Sequence, residues 1–215
     1  LEQSIILPHL LAERADGDPE RLFLEEVDGR SATYSQLHDE VLTWADGYRR
    51  IGVSEGDNVL VMLPTSIEAT SAWLGLSWLR AIEVPVNTGY RGEMLRYLIE
   101  HSKAKTMVLS TDYLPQIAEL HPFPSTLSTL IVPDLTEPAP ELPYQIQILS
   151  REEFLSDAQP CTDLLGPAIS DIATIMYTSV TTGPSKGVMM PWGQMYRTAS
   201  ADIFIGDFTP EDAYY

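Results

Sequence analysis

Apolar positions along the chain switch repeatedly between helical spacing and short continuous runs. Apolar residues from Leu37 to Tyr48 recur at helical spacing behind Ser35, a candidate cap, and predict an amphipathic helix. The run over residues 58–63 stops at Pro64 and predicts a buried strand. The further elements predicted up to residue 132 are a helix capped by Thr65 or Ser66 and running through Leu79, an extended piece at 84–86, a helix at 93–101, a strand at 106–109, a helix at 112–120 and a strand at 127–132.

Strands that alternate with helices in this way are typical of an α/β protein. The sequence therefore predicts a largely parallel sheet that is flanked by helices. Four prolines between residues 133 and 143 interrupt the pattern, which predicts a surface connection and a candidate subdomain boundary. Beyond it the pattern predicts a short helix at 151–156, a buried strand at 172–177, a returning strand at 188–190 that forms a hairpin with it, and a helix at 194–204.

The loop of that hairpin is the clearest candidate for chemistry. Residues 176–187 read Met-Tyr-Thr-Ser-Val-Thr-Thr-Gly-Pro-Ser-Lys-Gly, so hydroxyl groups, glycine and a lysine directly follow a buried strand. Backbone N–H groups and hydroxyls donate hydrogen bonds to phosphate oxygens, and an ammonium adds a compact positive charge. The spacing fits neither a Walker A loop nor a Rossmann turn, and an ordinary surface turn is the alternative.

Composition limits the partners of such a site. The chain of 215 residues has 13 Lys and Arg against 31 Asp and Glu, a formal net charge of −18, which disfavours nucleic acid as a partner. Cys161 is the single cysteine and excludes an intrachain disulfide. Since no apolar run approaches the roughly 20 residues that span a bilayer, and the amino end is acidic, we expect a cytoplasmic protein without an integral membrane segment.

Other polar residues carry weaker signals. The four histidines lack metal-ligand spacing and are expected at the surface or at helix caps. The pairs Glu25–Glu26 and Glu152–Glu153 predict solvated surface, and Cys161 has no partner visible in the sequence. The histidines are His9, His38, His101 and His121.

Residues 178–188 closely resemble the signature loop of the adenylate-forming (AMP-binding) superfamily, which comprises acyl- and aryl-CoA synthetases, peptide-synthetase adenylation domains and firefly luciferase. Residues 86–93 are similar to CoA ligases of the carnitine/crotonobetaine type. The resemblance extends from about Thr33 to Tyr196. Its upstream landmarks, in the family's order, are residues 33–37, 52–59, 63–66 and 84–87.

The resemblance implies a two-step reaction. A carboxylate attacks the α-phosphate of ATP to give an acyl-adenylate, and the thiol of CoA then displaces AMP to give a thioester. It also implies Mg²⁺, with its ligand outside this chain, and leaves a homodimer open. Arg91 is expected at the surface, with contact to CoA or to a neighbouring subunit as the alternative. Trp192 stands where many members have a histidine beside the acyl pocket, with ordinary packing as the alternative. The residues implied to close over the β- and γ-phosphates are Thr178, Ser179, Val180, Thr181, Thr182, Gly183, Pro184, Ser185 and Lys186.

Two departures from the family pattern change these expectations. Val180 stands at a glycine of the family, and a β-branched residue is stiff and disfavours positive φ, so ATP binding is expected to be weaker. The family's later sheet subdomain and carboxy-terminal domain have no counterpart in residues 1–215, which predicts a partial amino-terminal AMP-binding domain that is inactive alone. The alternatives are a domain that forms acyl-AMP to load a carrier protein and a non-catalytic nucleotide- or acyl-binding module.

Overall fold

A computed structural model describes residues 5–136, 142, 144–178, 185–201, 209 and 212. Within these residues, seven strands form one sheet in the order β7-β6-β5-β3-β4-β8-β9, and β1 and β2 form a separate antiparallel pair. The elements in chain order are α1 (Leu7–Gly17), β1 (Leu22–Glu25), β2 (Ser31–Thr33), α2 (Tyr34–Arg50), β3 (Asn58–Met62), α3 (Ile67–Trp78), β4 (Ile82–Pro85), α4 (Gly92–Ser102), β5 (Thr106–Leu109), a 3₁₀ turn (Thr111–Tyr113), α5 (Leu114–Ala118), β6 (Thr129–Val132), β7 (Gln147–Ser150), α6 (Arg151–Leu155), β8 (Ile172–Thr178), β9 (Lys186–Pro191) and α7 (Trp192–Ala201).

The α/β prediction is confirmed. All neighbouring strands of the large sheet are parallel except β8 and β9, which form the predicted antiparallel hairpin. The connection that was predicted as a subdomain boundary joins β6 to β7, and these two strands pair directly in register from Thr129 with Gln147 to Val132 with Ser150. Residues 137–141 and 143 of that connection lie outside the described residues, and the boundary stays a prediction.

Helix starts follow from short polar side chains. Ser66 accepts a hydrogen bond from the Ala69 N–H and caps α3, one of the two predicted caps. The predicted cap of α2 at Ser35 is wrong, because Thr33 forms a capping box with Gln36 that satisfies two otherwise unpaired N–H groups. The helix therefore begins one residue before Ser35, at Tyr34.

The core lies on both faces of the sheet. Side chains of a strand alternate between faces, so Leu60 and Met62 of β3 pack with α4 and α5, whereas Val59 and Val61 pack with α2 and α3. Helices α2 and α3 approach closely at Gly75, where an added Cβ would lie 2.8 Å from Cβ of Trp44. Helix α1 packs outside α2 and α3, and contributes to a third apolar cluster.

Other boundaries differ from the predictions at the edges of elements. No element was predicted before Tyr34, where the structure has α1 and the β1–β2 pair, and β7 was also missed. The predicted helix at 112–120 is a 3₁₀ turn followed by the short α5. The predicted last helix begins earlier, at Trp192, and is described to Ala201. Within the part of the chain that is described, no helix is both long and apolar enough to cross a membrane.

Several polar residues have buried surroundings or contacts that the sequence did not indicate. Cys161 is buried with its Sγ atom 3.4 Å from Oδ1 of Asp46, so it does have a partner, and burial raises the pKa of its thiol to about 11. Glu26 is half-buried and accepts a hydrogen bond from the Ile67 N–H, whereas Glu25 is exposed as expected. His9 and His38 are half-buried against Trp78 rather than at the surface.

Candidate functional site

The β8–β9 hairpin carries the predicted phosphate loop at one defined edge of the sheet. Strand β8 is parallel to β4, so both strands end at the same edge. Thr178, the last residue of β8, pairs in register with Lys186, the first residue of β9. The connection between them therefore starts and finishes at the carboxyl edge of the parallel strands, which is where open α/β sheets bind ligands.

Three of the predicted loop residues are described. Thr178 and Lys186 are exposed and face the same edge of the sheet. Ser185 is half-buried, and its carbonyl accepts a hydrogen bond from the Tyr97 hydroxyl at 3.0 Å. The other predicted residues lie outside the described residues; they are Ser179, Val180, Thr181, Thr182, Gly183 and Pro184.

Three aromatic side chains contact one another where α4 meets the hairpin: Tyr97 and His101 of α4 and Tyr177 of β8. His101 Nδ1 is 2.6 Å from the Tyr177 hydroxyl, and the His101 ring stacks on the ring of Tyr97. Burial, and to a smaller degree Tyr97, raises the pKa of Tyr177. His101 is exposed, as predicted, whereas Tyr97 was not among the candidate residues. Their spacing of four residues on one helix was the available signal, since such residues share a helix face.

Gly187 keeps the two hairpin strands close together. A Cβ on this residue would lie 2.8 Å from Cγ2 of Ile175 and 3.4 Å from the ring of Tyr177. The absence of a side chain therefore lets β9 pass beside β8 with the Tyr177 ring over it. This geometry fits the glycine that follows Lys186 in the sequence.

The start of β8 is fixed by an ion pair. Arg80 donates through Nε and Nη2 to the two carboxylate oxygens of Asp171, at 2.7 and 3.0 Å. These bonds lower the pKa of Asp171 despite its partial burial. Arg80 also lies 3.1 Å from Glu55, so the turn before β4, the turn before β3 and the start of β8 are joined at one point.

Trp192 is buried at the start of α7. Its ring stacks on Trp73 with centroids 5.5 Å apart and an interplanar angle of 16°. Its backbone N–H donates to the carbonyl of Asp171. The residue belongs to the apolar cluster beneath α1, α2 and α3, and its predicted place in an acyl-pocket wall stays a prediction.

A carboxyl group lies in the sheet between β4 and β8. Glu83 pairs in register with Thr174, and burial raises the pKa of Glu83 to about 7. The hydroxyls of Thr174 and Tyr48 are both buried and have no hydrogen-bond partner among the described residues. Burial, and then the charge of Glu83, raises the pKa of Tyr48. No feature of the sequence pattern identified Glu83 as a residue of interest.

Two clefts open at opposite edges of the sheet. One, of about 230 Å³, lies at the carboxyl edge and is lined by Arg30, Ser66, Ser110 and Asp134 among others. The second, of about 130 Å³, lies at the amino edge beside Asn58. Among the predicted site residues that the structure describes, none lines either cleft; these are Thr178, Ser185, Lys186 and Trp192. Across the described ranges, no three His, Cys, Asp or Glu side chains are grouped closely enough to hold a metal ion.

A family model described as "AMP-binding enzyme" matches residues 11–215. The fold, the hairpin and this match define the class, and the chain belongs to the AMP-binding enzyme family. A crotonobetaine/carnitine–CoA ligase of Salmonella paratyphi C (strain RKS4594) is 30% identical over 81% of this chain. A 3-oxocholest-4-en-26-oate–CoA ligase of Rhodococcus rhodochrous is 30% identical over 86% of it.

Solved structures show the same fold. The anthranilate CoA ligase AuaEII in complex with anthranoyl-AMP matches 87% of this chain with a TM-score of 0.77 at 21% identity, over 35% of its own chain. The inhibitor-bound N-terminal domain of FACL13 from Mycobacterium tuberculosis matches 93% with a TM-score of 0.76 at 21% identity, over 48% of its own chain. The present chain spans about a third of the two curated ligases, 34% and 33%.

Proposed function

We propose that the full-length protein that contains this chain is an AMP-forming acyl-CoA ligase. In the first step a carboxylate oxygen attacks the α-phosphorus of ATP, and the bond from that phosphorus to the pyrophosphate oxygen breaks. In the second step the CoA sulfur, after losing its proton, attacks the acyl carbonyl carbon and AMP leaves. The observation that carries the proposal is the pairing of exposed Thr178 and Lys186 at the carboxyl edge, in a chain of this family.

The residues at this edge fit a polyphosphate. The Lys186 ammonium supplies a compact positive charge, and the Thr178 hydroxyl can donate a hydrogen bond to a phosphate oxygen. In a chain with a net charge of −18, such a local cation matters because the distant field repels an anion. We assign to Lys186 the stabilisation of charge on the departing pyrophosphate, a contact that strengthens as the bond breaks.

The proposed loop roles of residues 179–184 rest on the sequence resemblance. Mg²⁺ would neutralise phosphate charge when it is bound. Because the described residues hold no metal-ligand group, we propose that its protein ligands lie elsewhere in the full-length protein. Residues 1–215 would then be an amino-terminal part of the enzyme that requires later segments for activity. Trp192 is proposed as a support for the acyl pocket from beneath, through its stack on Trp73.

Identifying the products tests the proposal directly. The full-length protein is incubated with ATP, Mg²⁺, CoA and a panel of carboxylates that includes betaines, steroid acids and aromatic acids, and the products are read by mass spectrometry. The expected result is AMP, pyrophosphate and one acyl-CoA thioester. Acyl-adenylate and pyrophosphate without any acyl-CoA would favour the carrier-loading alternative, because the incubation supplies no carrier protein to accept the acyl group.

A second candidate function is supported by Val180. A β-branched residue at a family glycine favours a protein that binds nucleotide but turns it over slowly or not at all. The incubation combined with calorimetry separates the two functions, because a binding module gives saturable ATP binding by calorimetry but forms no AMP in the incubation.

A further inference from the structure

Helix α4 contacts the hairpin at both of its strands. The Tyr97 hydroxyl donates to the carbonyl of Ser185, directly before β9, at 3.0 Å. Four residues further along the helix, His101 Nδ1 lies 2.6 Å from the hydroxyl of Tyr177 in β8. Two side chains of one helix face therefore reach the two sides of the same hairpin.

The three rings also support one another. The rings of Tyr97 and His101 are stacked with centroids 5.2 Å apart at 25°. The rings of His101 and Tyr177 meet edge to face, with centroids 5.6 Å apart at 87°. On its other side the Tyr177 ring lies 3.4 Å from the position of a Cβ on Gly187. The three rings therefore form one chain of contacts that joins α4 to β8.

The contacts fall one residue before each of the two exposed residues of the candidate site. Tyr177 precedes Thr178, and Ser185 precedes Lys186, while Thr178 and Lys186 are paired in register. A long lysine side chain loses conformational entropy when a ligand fixes it. If its backbone is already fixed, less of this entropy remains to be lost when the ligand binds. Because α4 holds Tyr177 and Ser185, the neighbouring Thr178 and Lys186 have less freedom to move.

We propose that Tyr97, His101 and Tyr177 are positioning residues, which fix Thr178 and Lys186 in the geometry that binds the ATP phosphates. They act through the backbone of the hairpin and do not themselves contact the nucleotide. This inference rests on the proposed function. It goes beyond it by assigning to α4, an element remote in sequence from the loop, a share in the affinity for ATP.

The test replaces one hydroxyl in the full-length protein. Tyr97→Phe removes the bond to Ser185 and leaves the ring stack in place. Tyr144→Phe is the matched control, because the Tyr144 hydroxyl also donates to a backbone carbonyl, that of Leu120, but lies on the β6–β7 side of the sheet. Each variant loses one hydrogen bond from a tyrosine hydroxyl to a backbone carbonyl, so both should lose similar thermal stability.

Of the two tyrosine variants, only Tyr97→Phe is expected to change the KM for ATP. Its KM for ATP should rise about fivefold, the equivalent of about 1 kcal/mol, while the KM for CoA stays unchanged. His101→Gln should act in the same direction, and His121→Gln, at an exposed residue, should not. If Tyr97→Phe does not fold, the comparison of His101→Gln with His121→Gln tests the positioning role instead.

The outcomes separate this inference from the proposed function. If the wild-type protein forms an acyl-CoA but Tyr97→Phe and His101→Gln keep its KM for ATP, the positioning role is wrong and the function stands. An equal rise in Tyr144→Phe would also overturn it, because the effect would then be general. If the wild-type protein forms no acyl product, the function fails and the positioning role fails with it.

Discussion

Glu83 shows how a single buried carboxyl group can make stability depend on pH. Its pKa in the folded protein is about 7, above the ordinary value of 4.5. Between these two pH values the folded state holds a proton that the unfolded state has lost. Stability from this group therefore falls as pH rises from about 4.5 to about 7 and is constant above that, by up to about 3 kcal/mol in total.

We predict that Glu83→Gln removes this dependence. The amide carries no charge at any pH, so the melting temperature of the full-length variant should exceed that of the wild type at pH 8.5, and the gap should close at pH 5. Glu152→Gln, at an exposed glutamate, is the control and should follow the wild type. If the melting temperatures of the wild type and of Glu83→Gln change with pH in parallel between pH 5 and pH 8.5, Glu83 is already ionised in the folded protein throughout this range.

Val180 is a second single residue that we expect to affect function, through the binding of ATP. Its structure lies outside the described residues, so the expectation rests on sequence alone. We predict that Val180→Gly lowers the KM for ATP of the full-length protein by about tenfold, because glycine relieves roughly 1–3 kcal/mol of unfavourable backbone conformation in the bound loop. Val180→Ala is the control, since alanine has a shorter side chain than valine but, unlike glycine, does not readily adopt φ > 0. Equal ATP affinity in all three proteins would contradict a cost at this position.

At the scale of elements, Gly75 determines how closely α3 can lie against α2. A Cβ there would lie 2.8 Å from Cβ of Trp44 and 3.2 Å from both the backbone N of Ala45 and the carbonyl O of Val41. Two of these atoms belong to the backbone of a helix and cannot rotate away. The pair of helices must therefore separate to accept any larger residue.

We predict that Gly75→Ala destabilises this pair by about 1–3 kcal/mol, in the range of overpacked cores. Gly17→Ala is the matched control, because nothing lies within 4 Å of a Cβ at Gly17 and alanine favours a helix by up to about 1 kcal/mol. Hydrogen exchange of α2 and α3 peptides in the full-length protein measures the effect. Unchanged exchange in Gly75→Ala would mean that the two helices can separate without cost.

The elements also show how far a sequence pattern determines structure. Strand β5 was predicted with its observed bounds because all four of its residues are buried and the last three, Met107 to Leu109, form an apolar run after the β-branched Thr106. Strand β7 was missed because its residues are partly exposed at the sheet edge and carry no clear alternation. Burial on both faces leaves a sequence signal, whereas edge pairing depends on backbone hydrogen bonds that any residue can make.

The same contrast applies to the candidate site. The loop was recognisable because Thr178 to Lys186 are contiguous in sequence. The contacts of Tyr97 and His101 were not, because they join segments 88 and 76 residues apart. Glu83 was hidden for a similar reason, since only the pairing of β4 with β8 brings it to Thr174. Long-range proximity is a property of the sheet order, which local spacing does not encode.

For the whole molecule, the central claim is that this fold presents Thr178 and Lys186 to the phosphates of ATP. Its cleanest test is carboxylate-dependent exchange of labelled pyrophosphate into ATP by the full-length protein. We predict exchange in the wild type and a fall of about 100-fold in Lys186→Ala, which loses a charge contact to the departing pyrophosphate. Lys105→Ala, an exposed lysine at the opposite, amino edge, should exchange at the wild-type rate. Exchange in Lys186→Ala as fast as in the wild type would contradict the account.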